Sequence, residues 1–320
     1  MRVKALLSLF VLSTLSLSAQ DVVRLGNLKF AHYGAVSYMK ELAPKYKLKI
    51  EERVFAKGID INPAIVAGEI DASAAALDAA IAGRAAGVPI VVVAGFARGG
   101  ARLVVRPDAG IKALKDLKGK KVGVARGGAQ ELLLLAELAK AGLNWADKPG
   151  KDVLVLYLPF ADLNQALMAK NIDAMCQSEP YSSQAIHKGF GVELLKPYDT
   201  PIGEPIRALV ITEKLYKERR DVAQRFLLCF VEATKKFIDE PKTAEKFVRE
   251  VMFKNQISAE DYQDAIGNSP FSYDITLQHV QVTTDLMAKY GVGKMANPPK
   301  AGDWVKLDLL TEAKKQLKVK

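Results

Sequence analysis

The chain has 320 residues, of which 49% are apolar and 26% charged. That supplies cores for one large or two medium domains and excludes both a disordered chain and a small disulfide-stapled scaffold. The formal net charge is +10, yet Lys and Arg are mostly interleaved with Asp and Glu. They cluster only at Lys118-Gly119-Lys120-Lys121 and in the tail (Lys314, Lys315, Lys318, Lys320). Solvated helix faces and ends explain that pattern, so no nucleic-acid partner is expected.

Residues 1–19 read as a secretory signal. Arg2 and Lys4 form a basic start, residues 5–15 are apolar, and small residues at Ser16, Ser18 and Ala19 suit cleavage near Ser18 or Ala19. The apolar stretch is too short for a membrane span, and no later segment is long enough. No Cys stands at the cleavage site, so a lipid anchor has no attachment point. An exported, soluble, periplasmic protein is expected. Its two cysteines, Cys176 and Cys229, leave pairing open by spacing alone. Cys229 sits among Phe226, Phe230, Ala233 and Phe237 at helical spacing, which predicts a buried free thiol. The only histidines are His32, His187 and His279. None stands at ligand spacing with a Cys, so neither a metal nor another cofactor is expected.

In chain order, residues 22–25 predict a strand, followed by a glycine-bearing loop, a helix over 36–46 and a strand over 49–55. Then comes Ala64-Ile65-Val66-Ala67-Gly68-Glu69-Ile70-Asp71-Ala72, which recurs as Ala166-Leu167-Met168-Ala169-Lys170-Asn171-Ile172-Asp173-Ala174. Both copies read as helix end, tight turn and strand. The second copy has its own preceding strand (121–125), glycine loop (Arg126-Gly127-Gly128), helix (130–141) and strand (152–158). Two strand–helix–strand–helix–strand units follow, each a parallel sheet with helices on its faces. Ligands of such sheets bind at the carboxyl ends of the strands, so the loops of both units should converge on one cleft. Strands at 87–96, 101–106 and 206–212 place the crossings. Helices are predicted at 216–239, 243–251, 259–267 and 273–289, with Ser258 and Asp261 as a capping box.

Gly68-Glu69-Ile70-Asp71-Ala72, the run from Ile111 to Val124 with Asp116-Leu117-Lys118-Gly119-Lys120-Lys121-Val122-Gly123-Val124, and Glu179-Pro180-Tyr181 together resemble the nitrate/sulfonate/taurine (NitT/TauT) substrate-binding proteins of ABC importers. The resemblance covers roughly residues 21–260 and extends to thiamine-pyrimidine-binding proteins. It implies an α/β, two-lobed type II periplasmic-binding-protein fold, each lobe a mostly parallel sheet flanked by helices, with a helical C-terminal region. The divisions it implies are residues 1–19 as signal, 20–106 as the first part of lobe one, 107–205 as lobe two, and 206–320 as the rest of lobe one with the C-terminal helices. The implied partners are a small-molecule solute and the transmembrane subunits of a permease, met by a monomer. The Asp116-Leu117-Lys118-Gly119-Lys120 run is read as a helix stop before a strand, not as chemistry.

Candidate ligand-binding residues follow from cleft position. Gly127, Gly128, Ala129 and Gln130 open a helix whose free N–H groups suit an anion, with Arg126 beside them to fork onto a carboxylate, sulfonate or phosphate. Glu131, one residue on, either caps that helix or repels the anion. Phe30, His32 and Tyr33 offer an aromatic wall with a polar tip. Asp78 and Glu179 follow the two repeat strands at similar distances. Asp78 reads better as a cap of the helix over 79–86, and Glu179 reads also as a hinge residue holding backbone amides, although the resemblance favours a cleft position for Glu179-Pro180-Tyr181. Cys176 and Tyr181 complete the set near the second strand end. The expected function is capture of a small organic anion for an importer, with a thiamine-type pyrimidine as the alternative ligand. The rival class is an enzyme. The chain lacks G-x-S-x-G, H-E-x-x-H, a P-loop and G-x-G-x-x-G, which leaves a Cys176–His32 pair as its only nucleophilic candidate.

Overall fold

Ala72–Ala76 and Ile90–Arg98 carry apolar residues almost without interruption, as strands covered on both faces do. In the computed structural model, which describes residues 20–319, they are two of eleven strands. The expected signal segment lies outside the described residues. The strands are β1 (Asp21–Leu28), β2 (Leu48–Phe55), β3 (Ala72–Ala76), β4 (Ile90–Arg98), β5 (Ala101–Val105), β6 (Lys121–Val124), β7 (Trp145–Ala146), β8 (Val153–Tyr157), β9 (Ala174–Ser178), β10 (Val192–Leu195) and β11 (Ile206–Thr212). They form two sheets, ordered β2-β1-β3-β11-β4 and β10-β5-β9-β6-β8-β7. Helices α1 (Gly34–Leu42), α2 (Ile61–Val66) and α3 (Leu77–Ala85) serve the first sheet. Helices α4 (Ala129–Lys140), α5 (Phe160–Met168) and α6 (Tyr181–His187) serve the second. The pairs β1–β2, β1–β3, β6–β8 and β6–β9 are parallel, as the alternating pattern predicts. In each sheet one antiparallel strand joins the parallel set: β11 pairs with β3, and β5 pairs with β9.

One expectation is corrected. Residues 101–106 were expected in lobe one, but β5 pairs with β9 and β10 in the second sheet. The chain changes sheet at Gly99-Gly100, both with positive φ (65° and 80°). A Cβ there would lie 2.3 Å from the Asn268 carbonyl oxygen and 2.8 Å from Ser269 Oγ, so only glycine fits the crossing.

The repeated motif has a shared physical role. Gly68 and Lys170 both adopt left-handed conformations (φ 73° and 61°) that turn the chain between helix and strand. The aspartate three residues on then pins the first strand of its lobe. The Asp71 carboxylate accepts from the Arg24 backbone N–H at 2.9 Å and Arg24 Nη2 at 2.7 Å. The Asp173 carboxylate accepts from the Lys121 N–H at 2.9 Å and Arg106 Nη2 at 2.9 Å. Burial alone would raise the Asp71 pKa, but the bonds from Arg24 outweigh it and hold the carboxyl below its ordinary value.

The remaining helices are α7 (Glu213–Glu218), α8 (Arg220–Asp239), α9 (Pro241–Lys246), α10 (Ala259–Asn268), α11 (Leu277–Tyr290), α12 (Ala301–Trp304) and α13 (Asp308–Gln316). Helix α8 buries Phe226, Cys229, Phe230, Ala233 and Phe237 as its spacing predicts, and packs against α1 and α13. Both cysteines are free and buried. The capping box forms at the start of α10, where Ser258 Oγ accepts from the Asp261 N–H at 2.9 Å. The helix expected from residue 273 begins later, at Leu277 with Thr276 as N-cap. Residues 271–275 instead run along β4: the Ser272 N–H reaches the Phe96 carbonyl, and the Gly95 N–H reaches that of Tyr273.

Asp71→Ala removes a charge-assisted network and should lower stability by about 1–3 kcal/mol. Glu69→Ala, which breaks only an exposed pair with Arg53, should change it by under about 0.5 kcal/mol. Urea denaturation of both variants checks the contrast, and equal losses would refute the pinning role.

Candidate functional site

The carboxyl ends of β1 and β2 face those of β6, β8 and β9, and the loops leaving them enclose two cavities. The outer one has a volume of about 450 Å³. Lys29, Phe30, Phe55 and Lys57 come to it from the first lobe, and Arg126, Tyr157, Phe160 and Tyr181 from the second. No carboxylate lines it. The cations are held loosely. Arg126 stacks its guanidinium 3.7 Å above the Tyr157 ring and stands 3.7 Å from Asp147. Lys57 lies 3.8 Å from Asp60, and Lys29 lies over the Phe253 ring at 5.2 Å.

Behind it lies a chamber of about 10 Å³, room for roughly one water. His32, Tyr33, Gln130, Ser178 and Arg207 line it, with Gly127 and Gly128. Phe30 and Phe160 line both spaces and meet edge to face at 5.2 Å. His32 is fully buried, and its Nε2 accepts from Arg207 Nε at 3.2 Å. Burial, then the Arg207 charge, hold its pKa well below the ordinary value, so the ring is neutral.

The structure thus sorts the sequence candidates. Phe30, Arg126 and Tyr181 reach the outer cavity, while Phe30, His32, Tyr33, Gly127, Gly128 and Gln130 reach the inner chamber. Ala129 and Asp78 line a separate small cavity with His279 and Thr283. The helix end at Gly128 is already served by its own chain, since the Glu131 carboxylate accepts from the Gly127 N–H at 2.8 Å.

Two candidates stand away from both cavities. Cys176 lies at 0% exposure inside the β9 core, and burial raises its thiol pKa. A raised thiol and a lowered histidine are the reverse of a nucleophilic Cys–His pair. Glu179, also at 0% exposure, is held in a buried polar network. Its Oε1 lies 2.7 Å from Arg102 Nε and accepts from Asn268 Nδ2 at 2.8 Å, and its Oε2 accepts from Ser183 Oγ at 2.7 Å. That network joins β5, α6 and α10.

Arg207, Lys57, Tyr157 and Phe160 were not singled out from sequence. Arg207 hides in an apolar strand (Ile206–Thr212), where its lone charge inside a buried run was the one available signal.

Asp78 sits in the first turn of α3, near its own helix amides, but its oxygens accept no full hydrogen bond. Burial, assisted by Glu131 and opposed by Arg207, raises its pKa from 3.8 to about 7. The folded state therefore holds a proton that the unfolded state releases, and stability falls as pH rises from about 4 to 7. Asp78→Asn should be near neutral at pH 4 and stabilising by roughly 2 kcal/mol or more at pH 8. Thermal melts of both proteins across that range check the sign, and a pH-independent difference would refute it.

Comparison with known proteins follows this geometry. The NMT1-like family matches residues 21–251. A putative ABC transporter periplasmic binding protein of Brachyspira hyodysenteriae is 24% identical over 287 residues, 82% of this chain and 80% of that one. A putative aliphatic sulfonates-binding protein of Escherichia coli is 30% identical over 200 residues, and the match spans 60% of each chain. Among solved structures, the alkanesulfonate-binding protein SsuA from Xanthomonas axonopodis pv. citri, bound to MOPS, aligns with a TM-score of 0.75 at 18% identity, covering 89% of this chain and 98% of that one. That likeness speaks for the fold. With two lobes, two sheets of matching topology and a cleft between their strand ends, the chain belongs to the NMT1-like family and has the periplasmic-binding-protein fold.

Proposed function

We propose that this protein captures a small organic anion between its lobes and delivers it to the transmembrane subunits of an ABC importer. The observation that carries this reading is the outer cavity: three cations, no carboxylate and an aromatic wall, at the strand ends of both lobes. Its volume of about 450 Å³ falls within the range of small-molecule sites. Lys29, Lys57 and Arg126 favour a negative head, and Phe30, Phe55, Tyr157, Phe160 and Tyr181 favour an apolar or flat tail. A sulfonate or carboxylate with a short organic tail meets both demands. Names carried by the relatives, one for aliphatic sulfonates and one for an ABC transporter, support the same reading. Residues 1–19 would direct the chain to the periplasm, and it would act there as a monomer.

The pyrimidine alternative needs a carboxylate facing the ligand's amine. Glu179 is engaged by Arg102, Asn268 and Ser183, and Asp78 faces another cavity, which weighs against it. The enzyme alternative loses its nucleophile with Cys176 buried and unactivated. No helix among the described residues is long and apolar enough to cross a membrane.

A thermal-shift screen of sulfonates, carboxylates, nitrate and aminopyrimidines tests the reading. A ligand at 100 times its Kd should add about 2.7 kcal/mol of stability, a rise of several degrees. Arg126→Ala should then weaken the best anion about tenfold by calorimetry, within the range of a charge-assisted bond. A response only to aminopyrimidines, or turnover of the hit, would overturn the proposal.

A further inference from the structure

The fold buries two arginines and treats them in opposite ways. The Arg102 side chain meets three carboxylates: Glu179 at 2.7 Å, Glu193 at 3.0 Å and Asp264 at 2.6 Å. Arg207, at 2% exposure, meets none within 4.0 Å among the described residues. Its Nε donates to His32, and its Nη1 has no partner. A neutral His32 that accepts at Nε2 carries its proton on Nδ1, and that atom is buried and unpartnered too. Ser178 and Gln130 line the same chamber. The nearest carboxylate in electrostatic terms is Asp78. It faces the neighbouring cavity and makes no ion pair with Arg207. A buried cation without an anion is costly, and the unanswered groups here are donors.

We propose that Arg207 and His32 form the oxyanion subsite of the cleft. This rests on the organic-anion reading above and deepens it. One oxygen of the ligand's head group sits against Arg207 and the His32 Nδ1–H, and the rest of the head, with its tail, lies past the Phe30–Phe160 edge in the outer cavity beside Arg126. The chamber holds a single cation and has room for about one oxygen atom. It therefore selects a singly charged head, a sulfonate or carboxylate, over a phosphate monoester, which carries a second charge at neutral pH. The second charge would be desolvated with nothing to answer it.

Calorimetry with pentanesulfonate, pentanoate and pentyl phosphate at pH 7.5 tests this on the mature protein, with Arg207→Gln, Ser178→Asp and Arg126→Ala. The wild type should bind one or both monoanions at least tenfold more tightly than the phosphate ester. Arg207→Gln should weaken the better monoanion at least tenfold, as loss of a charge-assisted bond to a buried cation requires. Ser178→Asp places a tethered carboxylate in the chamber. It should raise the Tm of the ligand-free protein and abolish anion binding. Monoanion affinity kept within twofold in Arg207→Gln would overturn the subsite while leaving the transport reading intact. If Arg207→Gln does not fold, Ser178→Asp decides: a lowered Tm with binding retained overturns the subsite. Failure of the wild type to bind any of the three would overturn the organic-anion reading itself. The Ser178→Asp melt would still report separately whether Arg207 can be answered by a carboxylate.

Discussion

A guanidinium taken out of water has to be answered by negative charge, and the organisation of this protein follows from where those answers lie. Arg102 is answered within the chain. Glu179, Glu193 and Asp264 come from the turn after β9, from β10 and from α10, so one buried cation fastens the second sheet to a helix that also packs against the first lobe. Arg207 sits on β11, the strand that enters the first sheet from the far end of the chain, and its side chain reaches the seam between the lobes. The first cation is satisfied by the fold itself. The second leaves a demand that a solute could meet.

Convergence of the strand ends depends on the duplicated aspartates. Asp71 and Asp173 each receive the backbone N–H of the first strand in their lobe, Arg24 in one and Lys121 in the other. Each bond fixes where that strand begins relative to the neighbour that carries the aspartate. The carboxyl ends of β1 and β6 are then set against those of β3 and β9, which places Phe30 opposite Phe160 and Tyr181. The repeat is thus a registration device, and the aromatic wall between the cavities is its consequence.

Features encoded by local chemistry were legible in the sequence. The repeat, the glycine loops, the parallel strand–helix alternation and the apolar face of α8 are all short-range patterns, and each appears in the structure where it was read. The aromatic loop with Phe30, His32 and Tyr33 was found because it directly follows the first strand. Features that depend on contacts across a hundred residues or more were not legible. Arg207 pairs with Ala76 and bonds His32, partners 131 and 175 residues away. Nothing local distinguishes it from a chance charge in a strand. The sheet change at Gly99-Gly100 was missed for a similar reason, since the obstacle to a side chain there is Asn268. Cys176 shares a face of β9 with Ser178 but is set back from the strand end into the core, and Glu179, just past that end, turns to Arg102, Asn268 and Ser183.

The aromatic pair between the two spaces links capture to lobe closure. Phe30 belongs to the first lobe and Phe160 to the second, so their edge-to-face contact exists only when the lobes are together. A head-group oxygen lodged beyond that contact would be enclosed by residues of both lobes, with Arg207 on one side and Gln130 and Ser178 on the other. A ligand held that way binds the closed arrangement better than the open one, and that difference in affinity is what a ligand needs to shift such an equilibrium. Charge at the bottom and aromatic rings at the neck would therefore act as one device. The anion supplies the charge that Arg207 lacks, and the two rings close behind it.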